Sequence, residues 1–169
     1  MLSELEPQAL GLYWPYRSEF NAVATFADDS NRAKLALALP FAQRAPVRMH
    51  YRAWSGATPT SVDDCGIPCA DGAPVVPDVV LAPCVGFTAD GYRLGYGGGY
   101  FDRWLAEHPH VTSVGVAWSV GEVDAPTFDA QPHDRRAVAA GDAAFIDAGR
   151  GRAVPRAIVH SHRGTLRER

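Results

Sequence analysis

Residues 91–103, with the sequence GYRLGYGGGYFDR, contain the side-chain types and spacing in this chain that could do chemistry. Gly95, Gly97, Gly98 and Gly99 have no side chains, so the backbone amides of this turn can close around an anion. The turn opens a predicted helix, whose first N–H groups and dipole favour negative charge. The segment therefore predicts a phosphate-binding turn.

Three charged residues in the same segment strengthen this interpretation. Arg93 and Arg103 are planar cations suited to phosphate, and Asp102 could hold a magnesium ion that bridges two phosphates. The glycine cluster matches neither the P-loop pattern nor the dinucleotide-binding fingerprint. A glycine-rich turn without function, and Asp102 as an ordinary acid in the first turn of a helix, therefore remain alternatives.

The surrounding pattern predicts the elements that position this turn. Residues 75–85 form a nearly continuous Val-rich apolar run, which is typical of a parallel strand buried on both faces. Further strands are predicted at 10–15, at 34–39 (ended by Pro40), at 47–54, at 111–118 and at 143–146, with helices at 19–33 (capped by Ser18) and 100–108 and loops at 55–77 and 86–99. Strands alternating with helices indicate an α/β layered domain, in which ligands bind at the ends of strands.

Length and composition narrow the class of protein. The chain has 169 residues, a formal net charge of −3, and 16 Gly and 13 Pro that are scattered along it, as expected for one globular domain. No apolar run approaches the roughly 18 residues of a membrane helix, and the acidic N-terminus does not look like an export signal. We expect a cytoplasmic protein with no membrane and no nucleic-acid partner.

Lysine and cysteine are scarce. Lys34 is the only lysine, so any ammonium at a phosphate site would have to be Lys34, and arginine is otherwise the only candidate. Cys65, Cys69 and Cys84 complete no zinc-ligand pattern and are interpreted as buried or incidental thiols.

The glycine segment also carries a resemblance. The string RLGYGGGYFDR at 93–103, preceded by PDVVLAPCVGFTADGY at 77–92, resembles the signature of the 5-formyltetrahydrofolate cyclo-ligase (5,10-methenyltetrahydrofolate synthetase) family. Four further parts agree in order: Tyr13-x-Pro15-x-x-x-Glu19, Tyr51-Arg52-Ala53-Trp54, Gly66-Ile67-Pro68 and Pro132-His133-Asp134. The resemblance covers about residues 10–146.

The resemblance implies a fold. It predicts one cyclo-ligase-like domain over residues 1–169, a three-layer α/β/α arrangement with a mostly parallel central sheet (NagB/RpiA/CoA transferase-like). Residues 149–169 would form a basic tail outside the family match.

The resemblance also implies an activity. The family binds ATP, magnesium and 5-formyltetrahydrofolate, and passes the γ-phosphoryl group to the formyl oxygen. Nitrogen 10 then closes the ring to give 5,10-methenyltetrahydrofolate, with release of ADP and phosphate. Such chemistry rests on positioning and charge stabilisation and needs no nucleophilic side chain.

Roles carry over by resemblance to matching positions. Arg93 and Tyr100 would be catalytic, Asp102 and Asp134 would bind magnesium, and Glu19, Trp54, Tyr96 and Tyr100 would bind the folate. The ATP segment would comprise Arg93, Leu94, Gly95, Tyr96, Gly97, Gly98, Gly99, Tyr100 and Phe101. Alternatives remain: Glu19 as a first-turn helix acid, Trp54 as a core residue, Asp134 as a turn residue, and a structural role for His133.

The chain also departs from the family pattern. Family members usually begin with a long helix whose Lys and Arg reach the ATP phosphates, whereas the first family-like strand here lies at about residue 10, which suggests a shortened N-terminus. The turn 66–69 lacks the usual Glu-Pro pair. Two alternatives therefore accompany the enzyme: a non-catalytic nucleotide- or folate-binding paralogue, and a purely structural α/β domain. We expect a monomer or a homodimer.

Overall fold

The computed structural model describes residues 5–27, 35–88, 92–123, 146–147 and 152–153. Its elements, in chain order, are β1 (Ala9–Gly11), α1 (Ala22–Ala27), β2 (Ala36–Arg44), β3 (Val47–Trp54), β4 (Ser61–Val62), β5 (Pro68–Cys69), β6 (Pro74–Val75), β7 (Val79–Pro83), β8 (Gly86–Thr88), β9 (Arg93–Leu94), α2 (Tyr100–Glu107), β10 (Thr112–Val116), a 3₁₀ turn (Ser119–Gly121), β11 (Glu122–Val123), β12 (Ile146–Asp147) and β13 (Arg152–Ala153).

The central sheet has six strands in the order β10-β7-β1-β2-β3-β6. The pairs β10/β7, β7/β1 and β1/β2 are parallel, and β2/β3 and β3/β6 are antiparallel. The sheet is therefore mixed and mostly parallel, which confirms the predicted fold class.

Strand β7 lies between β10 and β1, and Val79, Val80, Leu81 and Ala82 are all buried. A strand with paired neighbours on both edges and cover on both faces needs apolar residues at every position. The Val-rich run therefore did predict a central strand, although the strand itself is shorter than residues 75–85 and Val75 belongs to β6.

The side chains of β7 point alternately to the two faces of the sheet, where they belong to two separate core clusters. Val79 and Leu81 pack in the same cluster as Val23 of α1, whereas Val80 packs with Trp104 of α2. Because successive strand residues point to opposite faces, α1 and α2 cover opposite sides of the sheet. This is the three-layer arrangement that the resemblance predicted.

A tyrosine lies across the α2 side of the sheet. The Tyr51 ring reaches over β2 to β1, where a Cβ added at Gly11 would lie 2.8 Å from the Tyr51 Cε1 atom. Tyr51 meets Trp104 edge-on at a centroid distance of 4.9 Å. The small residues Gly11 and Ala38 thus leave room for an aromatic pair that seats α2 on the sheet.

Strand β2 corrects one prediction. It continues past Pro40 to Arg44 and pairs with β3 from Leu37 to Arg44, with Pro40 opposite Tyr51. Pro40 is tolerated because β1 pairs only with Ala36–Ala38, so the later residues of β2 lie beyond the end of β1.

The helix predicted at 19–33 begins later than expected. Helix α1 spans Ala22–Ala27, and the Asn21 side chain accepts a hydrogen bond from the Ala24 N–H at 2.9 Å, so Asn21 and not Ser18 caps it. Residues 28–34, including Lys34, lie outside the described part of the chain.

Two predicted loops contain short strands. The segment 55–77 includes the hairpin β4–β5 and the edge strand β6, and the segment 86–99 includes the hairpin β8–β9, which β11 extends. By contrast, the predictions of β3 at 47–54 and of a helix at 100–108 are confirmed to within one residue.

The hairpin β4–β5 is anchored by Asp63, a buried acid in its turn. The Asp63 carboxylate accepts hydrogen bonds from the backbone N–H groups of Ala42 (3.1 Å), Cys65 (2.8 Å) and Ile67 (2.9 Å). Three amides are satisfied by one side chain, so the hairpin is held against β2.

We expect Asp63→Ala to lower the free energy of unfolding by about 3 kcal/mol, because it leaves buried N–H groups without an acceptor. Asp63→Asn keeps one oxygen acceptor in the same shape and should lose less. Urea denaturation followed by circular dichroism measures both. Equal losses for the two variants would show that the carboxylate does not hold the hairpin in this way.

Candidate functional site

The glycine turn connects β9 to α2 and contains two left-handed residues. Gly97 has φ +82° and Gly99 has φ +62°, conformations that residues with a Cβ rarely adopt. Gly99 is the N-cap of α2, and no side chain caps this end of the helix. The first amides of α2 therefore follow directly on a turn of bare backbone.

The turn is open at one position and closed at two others. A Cβ on Gly97 would meet nothing within 4 Å. A Cβ on Gly98 would lie 3.0 Å from the Tyr100 ring, and one on Gly99 would lie 2.9 Å from the Arg103 guanidinium. The turn is therefore accessible from the side of Gly97.

An ion pair between a buried arginine and a partly exposed aspartate joins the two elements that flank the turn. The Arg93 Nη2 atom donates to Asp102 Oδ1, and the exposed fractions of the two side chains are 3% and 27%. The Arg93 guanidinium also lies 5.7 Å from the Phe101 ring. Asp102, in the first turn of α2, is therefore held by a cation from β9.

The charge of Arg93 also reaches Cys84, a buried thiol. Burial raises the pKa of Cys84 to about 11, while Arg93 acts in the opposite direction. Cys69 is buried as well, and all three cysteines are free thiols, which agrees with the interpretation of Cys69 and Cys84 as core residues.

Arg103, the second predicted phosphate ligand, is exposed on α2. Its guanidinium donates to the Gly98 carbonyl and lies 5.7 Å from the Tyr100 ring centroid. In this arrangement Arg103 fastens the turn to the helix that follows it.

Glu19 and Tyr96, both predicted to bind the folate, are brought to the same side of the turn. The Glu19 carboxylate accepts a hydrogen bond from the Tyr16 N–H at 2.8 Å, and the Tyr16 and Tyr96 rings meet edge-on at 5.9 Å. Burial raises the pKa of Glu19, and burial followed by the charge of Glu19 raises the pKa of Tyr96.

The segment that carries Glu19 is held by Trp118, a residue that the sequence analysis did not single out. The Trp118 indole N–H donates to the Ser18 carbonyl at 2.7 Å, and its ring meets Phe20 edge-on at 6.0 Å. The position of Trp118 directly after an apolar strand was the only signal that could have pointed to this role. Its hydrogen-bond partner, Ser18, lies 100 residues away, so the sequence does not show the contact.

Trp54 lies in the core cluster on the α1 side of the sheet. Its ring meets Trp14 edge-on at 6.4 Å, and its indole N–H donates to the Ala57 carbonyl at 2.7 Å. These contacts agree with the alternative of a core residue, and a role for Trp54 in folate binding stays a prediction.

The second predicted magnesium ligand, Asp134, lies outside the described residues, as do Pro132 and His133. Across residues 5–27, 35–88 and 92–123, no three or more His, Cys, Asp or Glu side chains are grouped so that they could hold a metal ion. No helix in the described part of the chain is long and apolar enough to cross a membrane.

The segment that contains this site is similar to a known protein family. Residues 70–136 match the model of the 5-formyltetrahydrofolate cyclo-ligase family. This part of the chain, which is less than half of it, is similar to that family. The match includes β7, the glycine turn, the Arg93–Asp102 pair and β10, and it confirms the resemblance drawn from the sequence.

A curated 5-formyltetrahydrofolate cyclo-ligase of Mycoplasma pneumoniae is 43% identical over 58 residues, which is 34% of this chain and 34% of that protein. The aligned part thus spans about a third of the length of this curated relative.

Two solved structures share the cyclo-ligase fold. The 5,10-methenyltetrahydrofolate synthetase of M. pneumoniae aligns with a TM-score of 0.59 and 24% identity over 77% of this chain and 70% of that one. The synthetase of Aquifex aeolicus aligns with a TM-score of 0.62 and 23% identity over 95% of this chain and 79% of that one.

We expect Glu19→Gln to raise the melting temperature at pH 7. The raised pKa of Glu19 means that the folded state loses stability as pH rises through the window above the ordinary pKa of 4.5, because the buried carboxylate ionises. An amide avoids that cost and can still accept the Tyr16 N–H.

The advantage of Glu19→Gln should shrink as the pH falls towards 4, where the wild-type carboxyl is protonated. Differential scanning calorimetry from pH 4 to pH 8 measures it, with Glu19→Ala as the variant that loses the hydrogen bond. A lower melting temperature for Glu19→Gln than for wild type at pH 7 would contradict the assignment.

Proposed function

We propose that this protein converts 5-formyltetrahydrofolate to 5,10-methenyltetrahydrofolate in a reaction that uses ATP and magnesium and releases ADP and phosphate. One observation supports it above the others. The left-handed glycine turn leads into α2 between Arg93 and Asp102, which form an ion pair, within the segment that matches the cyclo-ligase family.

The turn fits the phosphates of a nucleotide. Gly95, Gly97 and Gly98 are exposed, the Gly97 position is open, and the uncapped start of α2 provides N–H groups and the positive end of a helix dipole. The nucleotide-binding residues proposed here are those of the segment from Arg93 to Phe101. The backbone of the turn would bind phosphate oxygens, and the side chains would limit access to it.

Asp102 and Asp134 are the two proposed magnesium ligands. The Asp102 carboxylate is partly exposed and already oriented by Arg93, and carboxylate oxygen is a ligand that magnesium prefers. Because one Asp102 oxygen accepts the Arg93 N–H, the remaining coordination would come chiefly from phosphate oxygens and water.

The folate would bind against Glu19, Tyr96 and Tyr100. Tyr96 is half exposed, its ring is oriented by Tyr16, and the Glu19 carboxylate can accept N–H groups from a pterin ring. Trp54 would support this side from the core through its contact with Trp14.

Bound ATP supplies the phosphoryl group that turns the formyl oxygen into a good leaving group. The protein then has to hold two substrates in contact and to stabilise charge. Arg93 would keep Asp102 in place while charge develops, and Tyr100, at the first position of α2, would shield the reacting groups from water.

A non-catalytic nucleotide- or folate-binding protein is the second candidate. Arg93 is engaged by Asp102, and Arg103 is engaged by the Gly98 carbonyl. A site whose arginines are occupied by the protein can bind a nucleotide through backbone amides while transferring its phosphoryl group slowly.

The test mixes the protein with ATP, magnesium and 5-formyltetrahydrofolate and follows the near-ultraviolet absorbance of the methenyl product. We expect the absorbance of the methenyl product to increase only when ATP, magnesium and 5-formyltetrahydrofolate are all present. Binding of ATP and folate by calorimetry without product would favour the second candidate, and no binding of either would reject both.

Asp102→Asn is the matched variant for this assay, because it keeps the shape of the side chain and one hydrogen-bond acceptor for Arg93. We expect it to abolish the dependence of ATP binding on magnesium. If Asp102→Asn still binds ATP more tightly in magnesium than in EDTA, by the same factor as wild type, Asp102 does not belong to the site.

We expect Gly97→Ala to weaken ATP binding, because φ +82° is strained for alanine by about 1–2 kcal/mol and the turn must shift. Gly66→Ala is the matched control, since Gly66 also has a left-handed φ of +79° and an added Cβ there also meets nothing within 4 Å, but it lies outside the glycine turn. Calorimetry with Mg–ATP compares the two. Equal affinities in both variants would show that the left-handed turn does not contact the phosphates.

A further inference from the structure

We infer that Tyr13 and Trp118 are positioning residues, which hold the Glu19 carboxylate in the orientation that the folate requires. Here the Glu19 turn means residues 16–19. The inference rests on the proposed function for the identity of the ligand, whereas the hydrogen bonds that hold the Glu19 turn are independent of it.

The Glu19 turn closes on itself through its own carboxylate. The Tyr16 N–H donates to Glu19 Oε2 at 2.8 Å, and the Glu19 N–H donates to the Tyr16 carbonyl at 3.2 Å. In the described part of the chain the other carboxylate oxygen, Oε1, accepts no hydrogen bond. One oxygen of Glu19 is therefore anchored, and the other can accept an N–H group of a ligand.

Both neighbours of Glu19 are held through their backbone carbonyls by aromatic side chains. The Trp118 indole N–H donates to the Ser18 carbonyl at 2.7 Å. The Tyr13 hydroxyl donates to the Phe20 carbonyl, also at 2.7 Å. We call these two hydrogen bonds the carbonyl clamp.

The two donors of the carbonyl clamp come from two strands of the central sheet. Tyr13 lies two residues after the end of β1, and Trp118 lies two residues after the end of β10. Both strands run parallel to β7, which lies between them, so their carboxyl ends share one edge of the sheet. This is the edge at which open α/β sheets bind ligands.

The backbone of Arg17 shows that contacts from outside hold the Glu19 turn. Arg17 has φ +55°, a left-handed conformation that residues with a Cβ rarely adopt. Such a conformation persists only where the surrounding structure over-determines it, and it is common at ligand sites. The carbonyl clamp acts on the residues that directly follow Arg17 and so supplies that constraint.

The Glu19 turn lies against the glycine turn. The Tyr16 and Tyr96 rings meet edge-on at 5.9 Å. A carboxylate that is already fixed at this place binds a ligand N–H with little loss of conformational freedom, whereas a mobile one must first be ordered. The carbonyl clamp therefore acts on folate binding, while Mg–ATP depends on the backbone of the glycine turn.

Calorimetry with Tyr13→Phe and Trp118→Phe tests the inference, because each variant keeps an aromatic ring and removes one donor of the carbonyl clamp. Tyr51→Phe is the matched control for Tyr13→Phe. Tyr51 is as buried as Tyr13, and its hydroxyl has no hydrogen-bond partner among the described residues. The titrants are 5-formyltetrahydrofolate and Mg–ATP.

We expect each clamp variant to weaken folate binding about fivefold and to leave Mg–ATP within about twofold of wild type, with both ligands unchanged in Tyr51→Phe. If the clamp variants bind folate as tightly as Tyr51→Phe does, the inference is wrong. Equal losses for folate and Mg–ATP would also overturn it. Trp118 is 39% exposed, so Trp118→Phe decides the test if Tyr13→Phe does not fold.

The NMR titration of the Glu19 carboxyl carbon keeps this inference apart from the proposed function, because it needs no ligand. Burial raises the pKa of Glu19. We expect this pKa to fall towards 4.5 in both clamp variants, because a released carboxylate regains water, and to keep its wild-type value in Tyr51→Phe.

Other groups near Glu19 do not titrate with it. Burial, with a smaller contribution from the charge of Glu19, raises the pKa values of Tyr13, Cys84 and Tyr96, so these groups stay neutral where Glu19 titrates. If wild type binds no folate but the pKa of Glu19 falls in the clamp variants, the carbonyl clamp stands and the proposed function fails. An unchanged pKa in both clamp variants overturns the inference, whether or not folate binds.

Discussion

The buried pairing of Arg93 with Asp102 is the interaction on which the site depends. A guanidinium with 3% of its side chain exposed is stable only beside a compensating charge, and the sole carboxylate bonded to it in the described part of the chain lies at the start of α2. The pair therefore ties the hairpin β8–β9 to the helix. The glycine turn between them is held at both ends, and left-handed glycines close the short connection.

This constraint also requires α2 to lie at a defined height above the sheet. The contact of Tyr51 with Trp104 sets that height, and it exists because Gly11 and Ala38 leave space on β1 and β2. A larger residue at Gly11 would lift the Tyr51 ring, and α2 would move with it. Gly11 on β1 thus contributes to the position of α2.

Two parts of the chain that are distant in sequence complete the surroundings of the turn. The segment before α1 brings Glu19 and Tyr16 to Tyr96, and the hairpin β4–β5 brings Cys65 to Tyr100. The first contact places a carboxylate acceptor and an aromatic ring beside the turn, and the second joins the hairpin to the start of α2.

The local sequence pattern was sufficient to predict those elements whose burial or backbone conformation is visible in their own residue types. The apolar run of β7, the alternation of β3 and the glycine turn before α2 were all predicted, because burial on both faces, a half-buried strand and an uncapped helix start each leave a local signature. The same was not true of β2 beyond Pro40 or of the cap of α1.

Contacts between distant residues decided the rest. Arg93 and Asp102 were both identified as charged residues of the site, but the segment does not reveal that they form an ion pair with each other. Nor does the polar stretch around Asp63 reveal that it docks on β2 and delivers Cys65 to Tyr100. Periodicity reports which face of an element is buried, whereas pairing between charges and hydroxyls depends on how the layers meet in space.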